Sequence, residues 1–526
     1  MTLSTPTTVR RSRLDALADA VVTVADRPSL AVESPFDAET VGEVPACSPD
    51  DVRDAFDRAR AARAEWADRP LSERIAVFEE FHDRVLDEQS SLLDVVQAET
   101  GKARLDAHEE AVDVAATARY YANHARSYLA SRRRTGAVPL LTRTTEHRKP
   151  VGVVGVISPW NYPLTLSISD AVPALLAGNA VVCKPDEGTP FTALRIRELL
   201  VESGLPADLF AVVTGRGDEL GEALVSASDY VCFTGSTEVG RTVAATAGRN
   251  LVDCSLELGG KNPMLVLADA DVDAAAENAA HACFSNAGQL CLSVERIYVD
   301  ADVREAFLDA FVHETRRLTL GAGYDFDYDV GTLTSAAQLE KVEAHVEDAV
   351  DEGASVLTGG RRREDVGPYA YEPTVLTDVT EEMTCATEET FGPVVAVHEA
   401  SGIADAVERA NEGPHGLNAS VWSGDTARAE QVAERVDAGT VNVNDGYAAA
   451  WASLDAPMGG VGDSGIGRRH GEVGMTRFTE SQTVATQRGR PLTRPAEVPR
   501  RLWRLLLNAN ERLTSRLTAW RRGGGG

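Results

Sequence analysis

The chain has 526 residues and 43% hydrophobic residues, which is the composition of a globular protein too long for one ordinary core. Acids outnumber bases 81 to 52, and the formal net charge of −29 excludes nucleic acid as a partner because phosphate binding needs a basic surface. No apolar run approaches the length of a membrane span, and the N-terminal segment lacks the apolar core of a signal peptide.

The seven cysteines are scattered without a CxxC motif, which favours a reducing compartment, the cytoplasm, over a disulfide framework. The ten histidines include no HExxH motif, so we expect no metal site. Lysine occurs only at positions 102, 149, 184, 261 and 341, and the other bases are arginine. Dispersed acids with few lysines are typical of a halophilic protein, whose self-repulsion salt screens. Codon bias of a GC-rich genome is an alternative, and both explanations can hold together.

In chain order, residues 50–128 keep helical spacing and predict amphipathic helices, whereas 129–149 lose that period and are expected to be extended. Five short apolar runs then alternate with helix-sized segments: VGVVGVIS, AVVCKP, FAVVTG, YVCFTG and LVDCSLELG. A second alternating region follows over about 262–455. This pattern predicts an α/β fold with parallel sheets covered on both faces.

Four motifs end such strands. Trp160 and Asn161 lie in a proline-bracketed turn, PWNYP, and Lys184 and Glu187 follow in KPDEG, where they could share the hydroxyls of a ribose. The others are FTGSTEVG, with Gly235 and Ser236 at a helix start suited to phosphate, and LELGGKNP, with the carboxylate Glu257. Taken singly, each has an ordinary structural reading: an Asx turn, a solvated turn, an N-cap, and a glutamate paired with Lys261.

Two further motifs complete the set. FSNAGQLCLSVER surrounds Cys291 with small and polar residues, which suits a reactive thiol better than a buried inert one. EETFGPVVAV places the carboxylate Glu389 two residues before the aromatic Phe391 and ahead of another strand.

The order and spacing of these motifs over about residues 30–485 resemble the aldehyde dehydrogenase superfamily. The glycine-rich PMGGVGDSGIGRRHGEVG at 457–474 is similar to the closing motif of that family. The resemblance implies a Rossmann-like NAD(P)-binding domain (1–128 and 150–257), a catalytic α/β domain (258–455) and a small β oligomerisation element (129–149 and 475–490). It also implies a homodimer or homotetramer.

The resemblance further implies the role of each site residue. Cys291 is the expected nucleophile, Asn161 with the backbone N–H of Cys291 the oxyanion site, and Glu257 the base that activates water. The expected cofactor-binding residues are Trp160, Lys184, Glu187, Gly235, Ser236, Glu389 and Phe391. Glu187 would repel a 2′-phosphate, so we expect NAD, with NADP also accepted because Lys184 lies nearby.

The turn motif is most similar to a branch named for succinate-semialdehyde dehydrogenase, so succinate semialdehyde is the expected substrate. Two arginines that grip the substrate carboxylate in that activity are replaced by Ser169 and Ser285. Arg468, Arg469 or His470 could substitute. The alternatives are another or a broader range of aldehydes, a coenzyme A-acylating enzyme or a reductase of activated acids, and a non-catalytic binding protein.

Residues 491–526 form a basic extension that departs from the acidic rest of the chain. Leu502, Leu506, Ala509, Leu513, Leu517 and Trp520 share one helical face, and arginines fill much of the remainder. This pattern predicts an amphipathic helix that either packs on the enzyme or a neighbouring subunit, or makes weak contact with a membrane surface.

Overall fold

A computed structural model describes residues 5–138, 141–488 and 490–523, with side chains described up to residue 515. The N-terminal part packs mainly helices against the first large sheet, and its elements are α1 (Arg11–Ala18), β1 (Ser29–Glu33), β2 (Thr40–Pro45), α2 (Pro49–Asp68), α3 (Leu71–Asp87), α4 (Gln89–Thr100) and α5 (Arg104–Tyr128). The helices expected over 50–128 are therefore present. Two short strands follow, β3 (Arg132–Arg134) and β4 (Thr142–Pro150). Residues 139–140 of the expected extended segment lie outside the described residues.

The next part alternates strands and helices, as its apolar runs predict. Its elements are β5 (Val153–Ile157), α6 (Pro163–Ile168), α7 (Ala171–Leu176), β6 (Ala180–Lys184), α8 (Pro190–Glu202), β7 (Phe210–Val212), α9 (Gly217–Ala227), β8 (Tyr230–Thr234), α10 (Thr237–Asn250) and β9 (Asp253–Glu257). The valine-rich strands β5 and β6 are buried almost throughout, because helices cover both faces of a parallel sheet.

The second alternating part contains β10 (Asn262–Val266), α11 (Val272–Phe284), β11 (Val294–Asp300), α12 (Arg304–Arg317), α13 (Ala336–Asp351), β12 (Ser355–Thr358), β13 (Thr374–Thr377), α14 (Thr384–Thr387), β14 (Val394–Ala400), α15 (Ile403–Ala410), β15 (His415–Gly416), β16 (Asn418–Trp422), α16 (Thr426–Ala433), β17 (Thr440–Val443) and α17 (Ala448–Trp451). Seven of its strands form one sheet, in the order β12-β13-β14-β11-β10-β16-β17. Every pair in this sheet is parallel except β12 with β13.

The C-terminal part contains β18 (Val461–Gly462), β19 (Gly465–Ile466), α18 (Gly471–Thr476), β20 (Thr479–Gln487) and α19 (Arg500–Gly523). Strand β20 pairs with β4, which also pairs with β3, and this three-stranded antiparallel sheet is largely exposed along β20. Residue 489, inside the expected oligomerisation element, lies outside the described residues.

The first large sheet has the strand order β19-β9-β8-β5-β6-β7. Its five longer strands are parallel, and β19 runs antiparallel to β9. The chain moves outward from β5 to β7 and then returns to β8 on the other side of β5. This reversal creates a crevice at the carboxyl ends of β5 and β8, where open α/β sheets bind ligands. The expected α/β class with parallel sheets is confirmed.

Helix α19 confirms the helix expected in the basic extension. Asn510 Nδ2 donates a hydrogen bond of 2.8 Å to the Ala137 carbonyl, which ties the helix to the chain beside β3. The leucines remain about half exposed, at 48% for Leu502, 50% for Leu506 and 52% for Leu513. The interpretation that this face packs on the enzyme's own body is therefore wrong for these leucines. Leu517 and Trp520 have side chains outside the described residues.

Candidate active site

A strained loop carries Cys291 from the end of α11 toward the first sheet. Asn286 and Ala287 have positive φ angles of 51° and 54°, and Gly288 follows at 70°. A Cβ atom at Gly288 would lie 2.0 Å from the carbonyl oxygen of Gly392, so only glycine fits this approach. Left-handed non-glycine residues cost on the order of 1–3 kcal/mol each, and surrounding contacts must hold them in place.

Hydrogen bonds within the loop, from Thr334 and from β10 hold this loop in place. Gln289 Nε2 donates to the Asn286 carbonyl at 3.0 Å, and the Thr334 N–H donates to Gln289 Oε1 at 2.9 Å. Asn262 Nδ2, at the start of β10, donates to the Cys291 carbonyl at 2.8 Å. The position of Cys291 is therefore fixed by its own backbone as well as by its neighbours.

Asn161 lies against the same loop and is only 4% exposed. Its Nδ2 atom donates to the Gln289 carbonyl at 3.1 Å, which leaves one amide hydrogen for another acceptor. Its backbone carbonyl accepts from Lys102 Nζ at 2.7 Å and from Asn286 Nδ2 at 3.0 Å. These contacts bring two of the three expected catalytic residues together across 130 residues of sequence.

Glu257 ends β9 beside the crevice, and its Oε1 atom is buried without a hydrogen-bond partner among the described residues. Burial raises the pKa of this carboxyl to about 7, and the nearby Arg469 partly opposes that rise. The alternative pairing with Lys261 is wrong, because Lys261 Nζ lies 2.5 Å from Glu295 Oε2. Glu257 can therefore exchange a proton near neutral pH, as a general base must.

The thiol of Cys291 is held in its protonated form. Burial raises its pKa to about 12, and the negative charges of Glu257 and Glu389 act in the same direction. Arg469 and the Cys291 N–H act in the opposite direction and favour the thiolate, but burial outweighs them. A reaction at Cys291 therefore requires removal of the thiol proton during or before the attack.

The N-terminus of α10 lies at the crevice and is suited to bind a phosphate. Ser236 caps the helix by accepting a 3.4 Å bond from the Val239 N–H. The Gly235 N–H donates to the Glu257 carbonyl at 3.1 Å, and a Cβ at Gly235 would lie 2.6 Å from the Phe233 ring. Helix N–H groups and the helix dipole favour an anion here, so these residues fit the pyrophosphate of a dinucleotide.

Lys184 and Glu187 lie at the end of β6, the neighbour of β5 in the sheet. Lys184 Nζ donates to the Pro185 carbonyl at 3.0 Å and is 3.5 Å from Glu187 Oε2. The Lys184 side chain is buried, whereas that of Glu187 is 40% exposed. An ammonium and a carboxylate at this strand end fit the hydroxyls of a ribose.

Glu389 and Phe391 approach the crevice from the second large sheet. The Glu295 carboxylate accepts from the Thr390 and Phe391 N–H groups at 2.9 Å each, which fixes this turn. Glu389 Oε1 accepts from the Gly260 N–H at 2.9 Å, three residues after Glu257. The Phe391 ring meets Trp160 edge-on, with centroids 5.5 Å apart. These expected cofactor residues therefore share one crevice with Trp160 and the Glu257 strand.

The two serines at the expected arginine positions make polar contacts of their own. Ser169 Oγ donates to Asp113 Oδ2 at 3.4 Å, and Ser285 Oγ lies 3.0 Å from His281 Nδ1. His281 Nε2 in turn lies 3.2 Å from the Tyr447 hydroxyl. Neither serine is therefore accompanied by a cation in these contacts.

Of the three residues expected to substitute for those arginines, two are bonded elsewhere and the third is uncharged. Arg468 Nη1 donates to the Gly460 carbonyl at 2.9 Å, and Arg469 Nη2 bonds Asp170 Oδ2 at 2.8 Å. Burial lowers the pKa of His470 to about 3, so this side chain is neutral near pH 7. Arg469 is therefore already paired with a buried carboxylate.

The sequence did not reveal that several lysines near the site are buried in ion pairs. Lys102 and Lys261 each form an ion pair with a buried glutamate, and Lys184 pairs with Glu187. All three lysines are at most 5% exposed, and they are three of the five lysines in the chain. Because lysine is so scarce in this protein, the few lysines present could have been recognised from the sequence as candidates for buried ion pairs.

Together, the sheet order and the crevice define a dinucleotide-binding α/β protein with a cysteine, a carboxylate and an amide at the switch point. A family model described as the aldehyde dehydrogenase family matches residues 22–484, and the chain belongs to this family. It is therefore an oxidoreductase of the aldehyde dehydrogenase type that uses NAD or NADP.

Similar proteins agree with this assignment. A Mycobacterium tuberculosis protein named "Putative succinate-semialdehyde dehydrogenase, NADP(+), 2" is 50% identical over 484 residues, which cover 92% of this chain and 93% of that protein. A solved NAD-dependent aldehyde dehydrogenase from Sinorhizobium meliloti has a TM-score of 0.85 and 34% identity, covering 90% of this chain and 95% of its own. Betaine aldehyde dehydrogenase from Staphylococcus aureus, solved with NAD+, has a TM-score of 0.84 and 30% identity, covering 90% and 96%.

Proposed function

We propose that this protein oxidises an aldehyde to a carboxylic acid through a covalent intermediate on Cys291. The observation that carries the proposal is the contact network of the cysteine loop. Asn161 bonds the Gln289 carbonyl, two residues before Cys291, and the Glu257 charge acts directly on the pKa of the Cys291 thiol. An amide donor, a thiol and a buried carboxyl are the groups that this oxidation requires.

The Cys291 thiol transfers its proton to water, and the sulfur attacks the aldehyde carbon, so that a C–S bond forms as the carbonyl oxygen becomes an oxyanion. Asn161 Nδ2 and the Cys291 N–H donate to this oxyanion, and each such donor is worth roughly 3 kcal/mol. When bound, NAD(P) supplies the acceptor for the hydride that leaves the same carbon. Glu257 takes a proton from water, the hydroxyl attacks the resulting thioester, and the C–S bond breaks to release the acid.

Succinate semialdehyde is the substrate that the sequence relatives favour. The mycobacterial proteins at 50–51% identity carry that substrate in their names.

A second candidate, an uncharged or cationic aldehyde, is favoured by the side chains themselves. Ser169 contacts the carboxylate of Asp113, and Ser285 contacts His281, where the substrate carboxylate would need cations. Aromatic rings of Tyr162, Tyr447 and Trp451 also meet nearby, with centroids 6.0 and 6.1 Å apart.

The other reaction classes receive less support. Coenzyme A-acylating relatives generally lack the glutamate that Glu257 provides, and reductases of activated acids are disfavoured on the same ground. A non-catalytic role would require a broken set of catalytic residues. Cys291, Glu257 and Asn161 are all present close to the same crevice, Cys291 partly exposed and the other two buried, so hydrolysis of the thioester is the favoured outcome.

For the cofactor, we propose NAD as the preferred form and NADP as an accepted one. Glu187 would face the ribose 2′ position, where a carboxylate bonds a hydroxyl and repels a phosphate. Lys184 lies 3.5 Å from Glu187 and offsets part of that repulsion. The mycobacterial relatives are named for NADP(+), and the solved neighbours include enzymes with NAD+, which support the two halves of the proposal.

We further propose the domain division expected from the resemblance: cofactor binding by 1–128 and 150–257, catalysis by 258–455, and oligomerisation by 129–149 and 475–490. The sheet of β3, β4 and β20 supports a homodimer or homotetramer, because β20 is a largely exposed edge strand and such an edge offers a pairing surface. The free cysteines among the described residues support a cytoplasmic location. The described helices include none long and apolar enough to span a bilayer.

For α19, we propose weak binding to an anionic membrane surface. Its leucines are half exposed on one face, whereas Arg501, Arg504 and Arg512 are charge-complementary to acidic headgroups. The family match ends at residue 484, so this helix lies beyond the part shared with the family. A hydrophobic contribution from the leucine face persists when salt screens the charges.

The first prediction concerns the covalent mechanism. Replacing Cys291 by Ala should lower turnover by about 1,000-fold or more because the nucleophile is lost. Glu257→Gln should keep a rapid burst of NAD(P)H and lower the steady-state rate about 100-fold, since only release of the acid needs the base. Stopped-flow absorbance separates the two phases. Full turnover in Cys291→Ala would rule out the mechanism.

The second prediction compares aldehydes of equal length: succinate semialdehyde, butanal and 4-aminobutanal. The highest kcat/KM is expected with succinate semialdehyde. Ser285→Arg should raise that value relative to butanal by roughly tenfold, because a charged hydrogen bond is worth about 1.5–3 kcal/mol. Ser285→Gln, which is long but uncharged, is the control. A wild-type preference for butanal or 4-aminobutanal would replace the succinate-semialdehyde proposal by the second candidate.

The third prediction concerns the choice of cofactor. Wild-type enzyme should have a higher kcat/KM with NAD than with NADP. Glu187→Ser should reduce that ratio by roughly tenfold because it removes the carboxylate facing the 2′-phosphate. Glu187→Asp is the control that keeps the charge. A wild-type kcat/KM that is higher with NADP would show that Glu187 does not set the preference.

The fourth prediction concerns halophilic stability. The denaturation midpoint should rise between low and molar KCl, since salt screens repulsion among the dispersed acids. Urea titrations monitored by tryptophan fluorescence measure the midpoint without adding charge. A midpoint that stays constant or falls would leave codon bias as the explanation for the scarce lysines.

The fifth prediction concerns α19 and membranes. Intact protein should sediment with anionic liposomes at low salt, whereas protein truncated after Pro499 should stay in the supernatant. Leu506→Asp, which keeps every arginine, should also lose binding because the apolar face is interrupted. If all three proteins remain in the supernatant, the membrane proposal is wrong. A larger oligomer of the intact protein in liposome-free sedimentation would then assign the leucine face to a second copy of the chain.

A further inference from the structure

A buried cluster of three charged side chains lies behind Glu257, and the proposed reaction does not use it directly. Asp170, between α6 and α7, bonds Arg469 Nη2 at 2.8 Å and also pairs with Arg477. The three side chains are 5–10% exposed. They come from segments almost 300 residues apart in sequence, so the fold brings them together behind the active site.

The position of Arg469 is fixed by the backbone around it. Its N–H and carbonyl exchange hydrogen bonds of 2.8 and 2.9 Å with Met458. Just before it, β19 pairs with β9, placing Gly465 opposite Glu257. A Cβ at Gly459 would lie 2.9 Å from Glu257 Oε1, so Glu257 packs against the same glycine-rich segment that carries Arg469.

The charges of this cluster balance only when Glu257 is ionised. Arg469 and Arg477 contribute two positive charges and Asp170 one negative charge. These three side chains therefore carry a buried net charge of +1. Although burial acts to raise it, the two arginines hold the pKa of Asp170 at about 2, so Asp170 is a fixed anion near neutrality. An ionised Glu257 supplies the missing negative charge, and a buried uncompensated charge is costly.

Both the arginines and Glu257 carry buried polar atoms that lack hydrogen-bond partners among the described residues. Arg469 Nε, Arg477 Nε and Arg477 Nη1 are buried without partners among the described residues, as is Glu257 Oε1. The charges of Arg469 and Arg477 act on Glu257, so arginines that retain free N–H groups provide a favourable field for its ionised carboxylate.

We propose that Arg469 and Asp170 are positioning residues that act as opposed electrostatic controls on Glu257, Arg469 favouring its ionised form and Asp170 limiting that effect. The inference rests on the proposed role of Glu257 as the base for thioester hydrolysis. Arg477 contributes with the same sign as Arg469 through the shared carboxylate of Asp170.

Other titratable groups face the same region. Cys291 and Arg468 face Glu257, and Asp113, Tyr121, Tyr230, Cys232 and His470 lie around the cluster. The tyrosines and cysteines have raised pKa values and His470 a lowered one, which keeps them neutral near pH 7. Burial raises the pKa of Asp113 to about 6, so this group also titrates near neutrality and requires a control.

The test is the pH dependence of acyl release from Cys291, measured on enzyme acylated with a p-nitrophenyl ester. In the wild type, the rate should rise with pH through a midpoint near 7, the pKa of Glu257. Arg469→Met removes a positive charge and should raise that midpoint, whereas Asp170→Asn removes a negative charge and should lower it, each by about one unit. Arg469→Lys should stay near the wild type, and Asp113→Asn reports any contribution of that carboxyl.

Opposite shifts are the result that a purely structural role would not produce. Thermal unfolding identifies a variant that fails to fold, and Arg477→Met, which should also raise the midpoint, then takes the place of Arg469→Met. Unchanged midpoints, or shifts in the same direction, would overturn the inference. If the pH-dependent limb persists in Glu257→Gln, the proposed base is wrong. If the limb is lost in Glu257→Gln but its midpoint is unchanged in the Arg469 and Asp170 variants, only the proposed role of the cluster is wrong.

Discussion

The buried ammonium of Lys102 is the contact on which the geometry of the site depends. Its Nζ atom donates to Glu110 Oε1 at 2.5 Å and to the Asn161 carbonyl at 2.7 Å, and it lies 3.9 Å from the centre of the Tyr162 ring. Glu110 in turn accepts from the N–H groups of Leu164 and Thr165 at the start of α6. One ion pair therefore joins the N-terminal helices to the turn that carries Asn161, and breaking such a buried pair costs about 3–5 kcal/mol.

The same construction supports the opposite side of the crevice. Lys261 pairs with Glu295, whose carboxylate also holds the turn of Glu389 and Phe391 through two backbone N–H groups. The residues proposed to react are therefore held in place by buried ion pairs whose charged groups already have hydrogen-bond partners. Glu257 differs because one of its carboxyl oxygens has no partner among the described residues, which leaves it able to exchange a proton. The ion pairs hold the site in place, and the unpartnered oxygen of Glu257 leaves its carboxyl available to act as a general base.

The local patterns of the sequence predicted the five parallel strands and the segments at their ends, because apolar runs and turn residues act over a few neighbours. Strand β19 consists of only two residues, Gly465 and Ile466, and was missed. The alternative pairing of Lys261 with Glu257 is wrong because Lys261 pairs with Glu295 on a different strand, and only the sheet order decides between the two glutamates. The Asp170–Arg469 pair spans 299 residues, and no local pattern reveals it. The raised pKa of the Cys291 thiol also depends on burial by several elements, which the motif alone does not report.

The central claim is that the substrate becomes covalently attached to Cys291 and that Glu257 releases it. The most direct measurement is the intact and peptide mass of the Glu257→Gln protein after acid quenching in the presence of aldehyde and NAD. The account predicts a mass increase equal to one acyl group, located on the peptide containing Cys291 and absent when Cys291 is replaced. An acyl group on another residue would contradict it. Turnover without an adduct, in the Glu257→Gln protein or in the one with Cys291 replaced, would also contradict it.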